Sequence, residues 1–125
     1  MGDLSENFSR YEFACKCGCG ADNISPALVD ALQVVRSASP FAISITSGVR
    51  CSKHNSNVGG ASSSSHVSGL AADIVCIGSG DRYKFLRNLI PAFGRIGVAE
   101  NFIHVDVDHH MKPTGVLWMY PPKKK

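Results

Sequence analysis

The chain has 125 residues, a hydrophobic fraction of 44% and a formal charge of +3. That is one domain of ordinary globular composition, able to bury roughly two thirds of its unfolded surface without staples. No apolar run approaches the ~20 residues of a membrane span, and no basic stripe interleaved with aromatics points to nucleic acid.

The N-terminus, Met1-Gly2-Asp3-Leu4-Ser5-Glu6, is polar. It lacks a basic region followed by an apolar one, so no secretory signal is expected and synthesis in the cytoplasm is. Phe8 to Phe13 reads as a short amphipathic opening. Next comes Cys15-Lys16-Cys17-Gly18-Cys19, part of an odd total of five cysteines. Its C-x-C-x-C spacing departs from the C-x2-C pairs of ordinary structural zinc sites. Reduced thiols, or a disulfide to Cys51 or Cys76 if the protein works outside the cell, are favoured over a thiolate-bound metal.

Ser25-Pro26 is a helix start, with serine as N-cap and proline at the first helical position. Leu28, Ala31, Leu32 and Val35 recur at helical spacing up to Ser39, and Pro40 closes the helix. Ala42-Ile43-Ser44-Ile45-Thr46 alternates and predicts a strand. Residues 52–65 are rich in Ser, Asn and Gly. Flanked by motif-bearing segments, they read as a folded active-site loop rather than a linker. Ala71 to Ile77 predicts a strand ending at Gly78. Asp81 to Phe93 predicts a helix. Arg95 to Val98 and Phe102 to Asp108 predict strands around a turn near Glu100-Asn101, and Gly115 to Tyr120 a last strand. The order implies an α+β single domain, a small antiparallel sheet flanked by helices. Residues 1–120 make the domain and 121–125 a basic tail. The terminal lysines read as solvated, with at most weak attraction to an anionic polymer such as a cell wall.

The chemistry concentrates in Ser64-Ser65-His66-Val67-Ser68-Gly69-Leu70-Ala71-Ala72-Asp73, answered by Phe102-Ile103-His104-Val105-Asp106. Two imidazoles and a carboxylate suit a catalytic zinc, which takes three protein ligands and keeps one position open. In a strand, Ile103, Val105 and Val107 share the core face, while Phe102, His104, Asp106 and Asp108 share the other. His66 and Asp73 are too far apart for one strand face. A turn at Gly69 would bring the chain back.

The string Ser64-x-His66-x-x-Gly69-x-Ala71-x-Asp73 resembles the signature of the zinc D-alanyl-D-alanine carboxypeptidase family. That family includes bacterial DD-peptidases, D-Ala-D-Ala dipeptidases and phage endolysin peptidases, and hedgehog domains share its fold. Ser47-Gly48-Val49-Arg50 with His54-Asn55 and Val58-Gly59-Gly60-Ala61 resembles its upstream block. Phe102-Ile103-His104-Val105-Asp106-Val107 resembles the strand carrying its last ligand. The resemblance implies a hedgehog/DD-peptidase-like fold and one catalytic Zn2+ held by His66, Asp73 and His104. It implies Arg50 and Ser64 as substrate-binding residues, with His54 and Asn55 shaping the same loop. Cysteine-rich openings also occur in some phage-type members.

One position departs from the pattern. Several relatives carry an acid three residues before the last histidine, where this chain has Asn101, whose amide cannot take a proton. Glu100 has the parity of His104 in an unbroken strand and is the expected general base, with Asp106 as the second choice. His109 and His110 offer further proton donors. The expected activity is zinc-dependent hydrolysis of peptidoglycan stem peptides, by D-Ala-D-Ala carboxypeptidase or cell-wall endopeptidase action, in a monomer that reaches the wall, for a phage enzyme at lysis. The alternatives are a non-catalytic zinc-stabilised binding module or a phage structural component of the same fold.

Overall fold

The computed structural model describes residues 2–39, 41–61, 64–109 and 112–121. The basic tail after Pro121 and the candidate His110 lie outside the described residues. A 3-10 helix, Arg10–Phe13, opens the chain. Helix α1 follows at Pro26–Ala38, starting where Ser25-Pro26 predicts. Its apolar stripe, Leu28, Val29, Leu32 and Val35, is buried. Strand β1 covers Ile45–Ser47, β2 Ala71–Val75, β3 Arg95–Val98, β4 Phe102–Asp106 and β5 Val116–Met119. Helix α3, Ser79–Leu89, joins β2 to β3 and buries Phe85 and Leu89. Among the described residues no helix is long and apolar enough to cross a membrane.

The five strands form one sheet in the order β1-β2-β4-β3-β5. The fold is α+β as expected, but the sheet is mixed. The pairs β1–β2, β2–β4 and β3–β4 are antiparallel, whereas β5 runs parallel to β3. The expected small antiparallel sheet is present in three of the four strand pairs and differs at this edge. Sequence periodicity places residues on faces but carries no strand direction. The apolar face of the sheet, with Ile74, Ile96, Val98, Ile103 and Val105, packs into one core with α1, α3, Phe8 and Phe13. At about 25 cal/mol per Å² of apolar area, burying each such side chain contributes roughly 1.5–3 kcal/mol.

The polar face is set by register. Ser47 pairs with Asp73, Asp73 with His104, His104 with Gly97, and Gly97 with Trp118. These five positions form one row across all five strands. Side chains on such a row stand on the same side of a sheet. A second departure lies in the Ser/Asn-rich stretch. It contains a short helix α2, Ser52–Asn57, capped by the Cys51 side chain, which accepts the His54 N–H. Serine and asparagine are weak helix formers, so composition alone gives no helix there.

Candidate metal centre

His66 sits in the turn that leads into β2. Its backbone N–H donates to Ser64 Oγ at 3.2 Å. The turn closes with Gly69 N–H on the His66 carbonyl and Leu70 N–H on the Ser65 carbonyl. Gly69 has φ +73°, and a Cβ there would lie 2.3 Å from the Asn23 carbonyl oxygen. Only glycine meets both demands. This turn brings His66 back over the first residues of β2, beside Asp73.

The two histidines present defined nitrogens. His66 Nδ1 lies 2.7 Å from the Gly48 carbonyl oxygen. A carbonyl only accepts, so Nδ1 carries the proton and Nε2 faces the site. His104 Nε2 lies 2.7 Å from Asp106 Oδ2. The carboxylate accepts there, and Nδ1 is directed inward. His66 Nε2 and His104 Nδ1 stand 3.2 and 3.1 Å from the same oxygen, Asp73 Oδ1. The rings meet edge to face at a centroid distance of 5.2 Å. All three side chains are buried.

Two inward lone pairs and a carboxylate oxygen, mutually within 4.8 Å, repel one another unless a cation or proton lies between them. The electrostatics show that demand. Burial alone would lower the His104 pKa, yet its hydrogen bonds to Asp106 and Asp73 raise it above the usual value. Burial alone would raise Asp73, yet the bonds from His104 and His66 hold it at about 2. Asp106 is lowered in the same way, by His104 and Arg95. The chemistry of the donor set, two imidazoles and one carboxylate without thiolate, fits zinc with a position left open.

Around this cluster lies a pocket of about 300 Å³. Arg50 enters it from the end of the segment after β1. Its Nη2 donates to Asp73 Oδ2 at 3.4 Å, Nη1 to Asn55 Oδ1 at 3.2 Å and Nε to Ser47 Oγ at 3.1 Å. Asn55, buried on α2, also ties down the Ala61 carbonyl at 2.8 Å. It supports both Arg50 and the loop that walls the pocket. His54, on the same helix, is not among the residues lining that pocket. Ser64 lines it, and Ser65 donates to Asp108 Oδ2 at 2.7 Å.

Glu100 does not reach the cluster. It is exposed, lies in the β3–β4 turn and lines a separate cavity with Asn101, Phe102 and Pro121. The parity argument requires an unbroken strand, but β4 begins only at Phe102, and Ala99 N–H bonds the Phe102 carbonyl to close a hairpin. The expected general base is therefore displaced from the site. Asp106 lines the pocket, but both its oxygens are engaged, one by His104 and one by Arg95 Nε at 2.7 Å. His109 is exposed and outside the lining.

Sequence reasoning missed Arg95 and Trp118. Arg95 anchors Asp106, and its guanidinium carbon stands 5.0 Å from the Trp118 ring centroid. The Trp118 ring lies 5.5 Å from His104. The signal for Arg95 was present, because it alternates with the core residues Ile96 and Val98 and so shares the face of Gly97. A Cβ on Gly97 would come within 2.5 Å of Trp118 Nε1, so the bare glycine gives the indole its place.

A family model described as Peptidase M15 matches residues 6–106, which include His66, Asp73, His104 and Arg50. No curated protein matches the chain.

Proposed function

Because the chain belongs to the peptidase M15 family of zinc-dependent peptidases, we propose that this pocket hydrolyses an amide bond of a peptidoglycan stem peptide, as a D-Ala-D-Ala carboxypeptidase or a cell-wall endopeptidase of endolysin type. The observation that carries this reading is the convergence of His66 Nε2, Asp73 Oδ1 and His104 Nδ1 on the floor of a pocket that also holds Arg50. Zinc bound by those three atoms supplies a Lewis acid that acidifies water and polarises a peptide carbonyl.

The chain's own residues do the rest. Gly48 and Asp106 hold the two imidazoles in the tautomers that offer nitrogen lone pairs to one point. Hydrogen bonds of this type orient ligands and raise their basicity. Arg95 Nε donates to Asp106 Oδ1 and leaves Oδ2 aimed at His104. Arg50, which donates to Asp73 in the pocket, suits a substrate carboxylate or a developing oxyanion, and Lys112, also in the lining, is held by Ser65 and Asp108. The wall formed by Phe102, Trp118 and Tyr120 offers apolar contact to the methyl groups of an alanine-rich peptide. Such a substrate is reached outside the cytoplasm, for a phage enzyme at lysis, and the protein acts as a monomer.

The engagement of both pocket carboxylates, Asp73 and Asp106, favours a second reading, a zinc-stabilised binding module that does not turn over. One experiment separates the two. Zinc-loaded protein is incubated with purified peptidoglycan and the products are identified by mass spectrometry. Release of D-alanine or of cut stem peptides, abolished by a chelator and restored by zinc, supports the peptidase. Intact peptidoglycan that nevertheless retains the protein in a pull-down supports the binding module.

A further inference from the structure

A second group of metal-ligating side chains lies outside the pocket. Cys15, Cys17, Cys19 and Cys51 bring their sulfurs within 4.8 Å of one another. Cys15 Sγ lies 3.4 Å from Cys17 Sγ and 3.9 Å from Cys51 Sγ, and Cys17 Sγ lies 3.6 Å from Cys51 Sγ. Four thiolates around zinc at ~2.3 Å stand on a tetrahedron whose edges are ~3.8 Å. A disulfide requires ~2.05 Å and uses sulfurs in pairs. Here three sulfurs are mutual neighbours and the fourth joins them, so no pair is singled out. All four cysteines are free.

The backbone is shaped around this cluster. Cys15 N–H bonds the Ala21 carbonyl at 2.7 Å, which closes the loop that carries the first three cysteines. Gly18 N–H returns to the Cys15 carbonyl, and Gly18 has φ +84°, which a side chain at that turn would resist. Residues 16–20 are all exposed, so this part of the loop buries little surface of its own. Two backbone donors point at sulfur: Cys51 N–H at Cys15 and His54 N–H at Cys51, each at 3.4 Å. Such bonds favour thiolate over thiol.

We propose that Cys15, Cys17, Cys19 and Cys51 bind a structural zinc ion that clamps the N-terminal loop to the start of α2. Binding converts up to four thiols to thiolates and releases their protons. The site is closed, with four protein ligands and no open position. It also bears on the pocket from behind. Cys51 follows Arg50 directly, and Val49 N–H bonds the Phe13 carbonyl two residues before Cys15. The ion therefore pins the segment from which Arg50 enters the site. Cys76 is buried at the far end of β2 and takes no part.

The test is metal content of the full chain purified under reducing conditions, with the pocket ligands removed by His66→Ala and His104→Ala together. The wild-type chain is expected to hold two zinc ions and the double variant one. Replacing that remaining ion by cobalt should give intense thiolate-to-cobalt charge-transfer absorption. Cys76→Ser should change neither count, and Cys17→Ser with Cys19→Ser should lower the wild-type count to one. A zinc-free double variant that is folded by circular dichroism, or four cysteines found in disulfides by mass spectrometry of freshly purified protein, overturns the proposal. The site does not depend on the peptidase reading, because sulfur charge transfer is absent from a His/Asp centre.

Discussion

Asp106 Oδ2 lies 2.7 Å from His104 Nε2, on the side of the imidazole that faces away from Asp73. This makes Asp106 a positioning residue for His104. Asp106→Asn keeps the volume and one acceptor oxygen, but the amide cannot serve His104 and Arg95 with full negative charge. Zinc affinity should fall about 10–100-fold, the usual cost of losing such a partner. Competition with a chromophoric chelator measures it. Unchanged affinity with a collapsed rate would instead make Asp106 a proton acceptor in the reaction.

Arg50 touches Asp73, Asn55 and Ser47 at once. Its guanidinium has no lone pair to offer a metal, and the role proposed for it is on the substrate. Arg50→Lys should keep the zinc and the fold while losing most turnover, since an ammonium cannot reproduce the fork. Metal analysis, thermal denaturation and steady-state rates on a stem peptide read the three separately. A variant with wild-type kinetics would reduce Arg50 to a structural brace.

Glu100 is exposed in the hairpin turn and outside the pocket. Glu100→Gln should therefore leave both zinc content and rate within about twofold of wild type. A general base removed in this way typically costs 10²–10⁴-fold. A loss of that size would return the role to Glu100 and show that the turn rearranges over bound substrate.

The site was legible in the sequence where chemistry follows local spacing. His66, Asp73 and His104 converge because a glycine turn and one antiparallel register bring them together, and both leave marks along the chain. What escaped was non-local or depended on strand ends. Trp118 reaches His104 only because β5 adds in parallel beside β3, which no periodicity reports. Glu100 was misplaced because parity holds only while a strand continues, and the hairpin turn intervenes before Phe102. Cys51 was joined to the thiol patch only as one of two disulfide candidates, because its place as a fourth neighbouring sulfur comes from capping a helix hidden in a Ser/Asn-rich stretch. Spacing within Cys15-x-Cys17-x-Cys19 alone does not find it.

The metal-free protein should be most stable in a mildly acidic window. Burial works to raise the Asp73 carboxyl, but its bonds to His104 and His66 hold it at about 2, against an ordinary 3.8. A lowered carboxyl stabilises the fold above its ordinary value and loses that contribution, on the order of 2 kcal/mol, as pH falls toward 2. Asp106, lowered by His104 against the effect of burial, adds with the same sign. His104 behaves oppositely. Burial works to lower it, but Asp106 and Asp73 raise it above 6.5. Its contribution is complete below 6.5 and is lost as pH rises through the folded value. Thermal denaturation in chelator, with the thiols kept reduced, should therefore peak between pH 3.8 and 6.5. Zinc should reverse the upper limb, since the imidazoles bind metal only when neutral and binding strengthens as they deprotonate. A metal-free midpoint that climbs steadily from pH 4 to 8 would mean that His104 carries no extra proton affinity in the folded chain. The hydrogen-bonded arrangement around Asp73 would then be wrong.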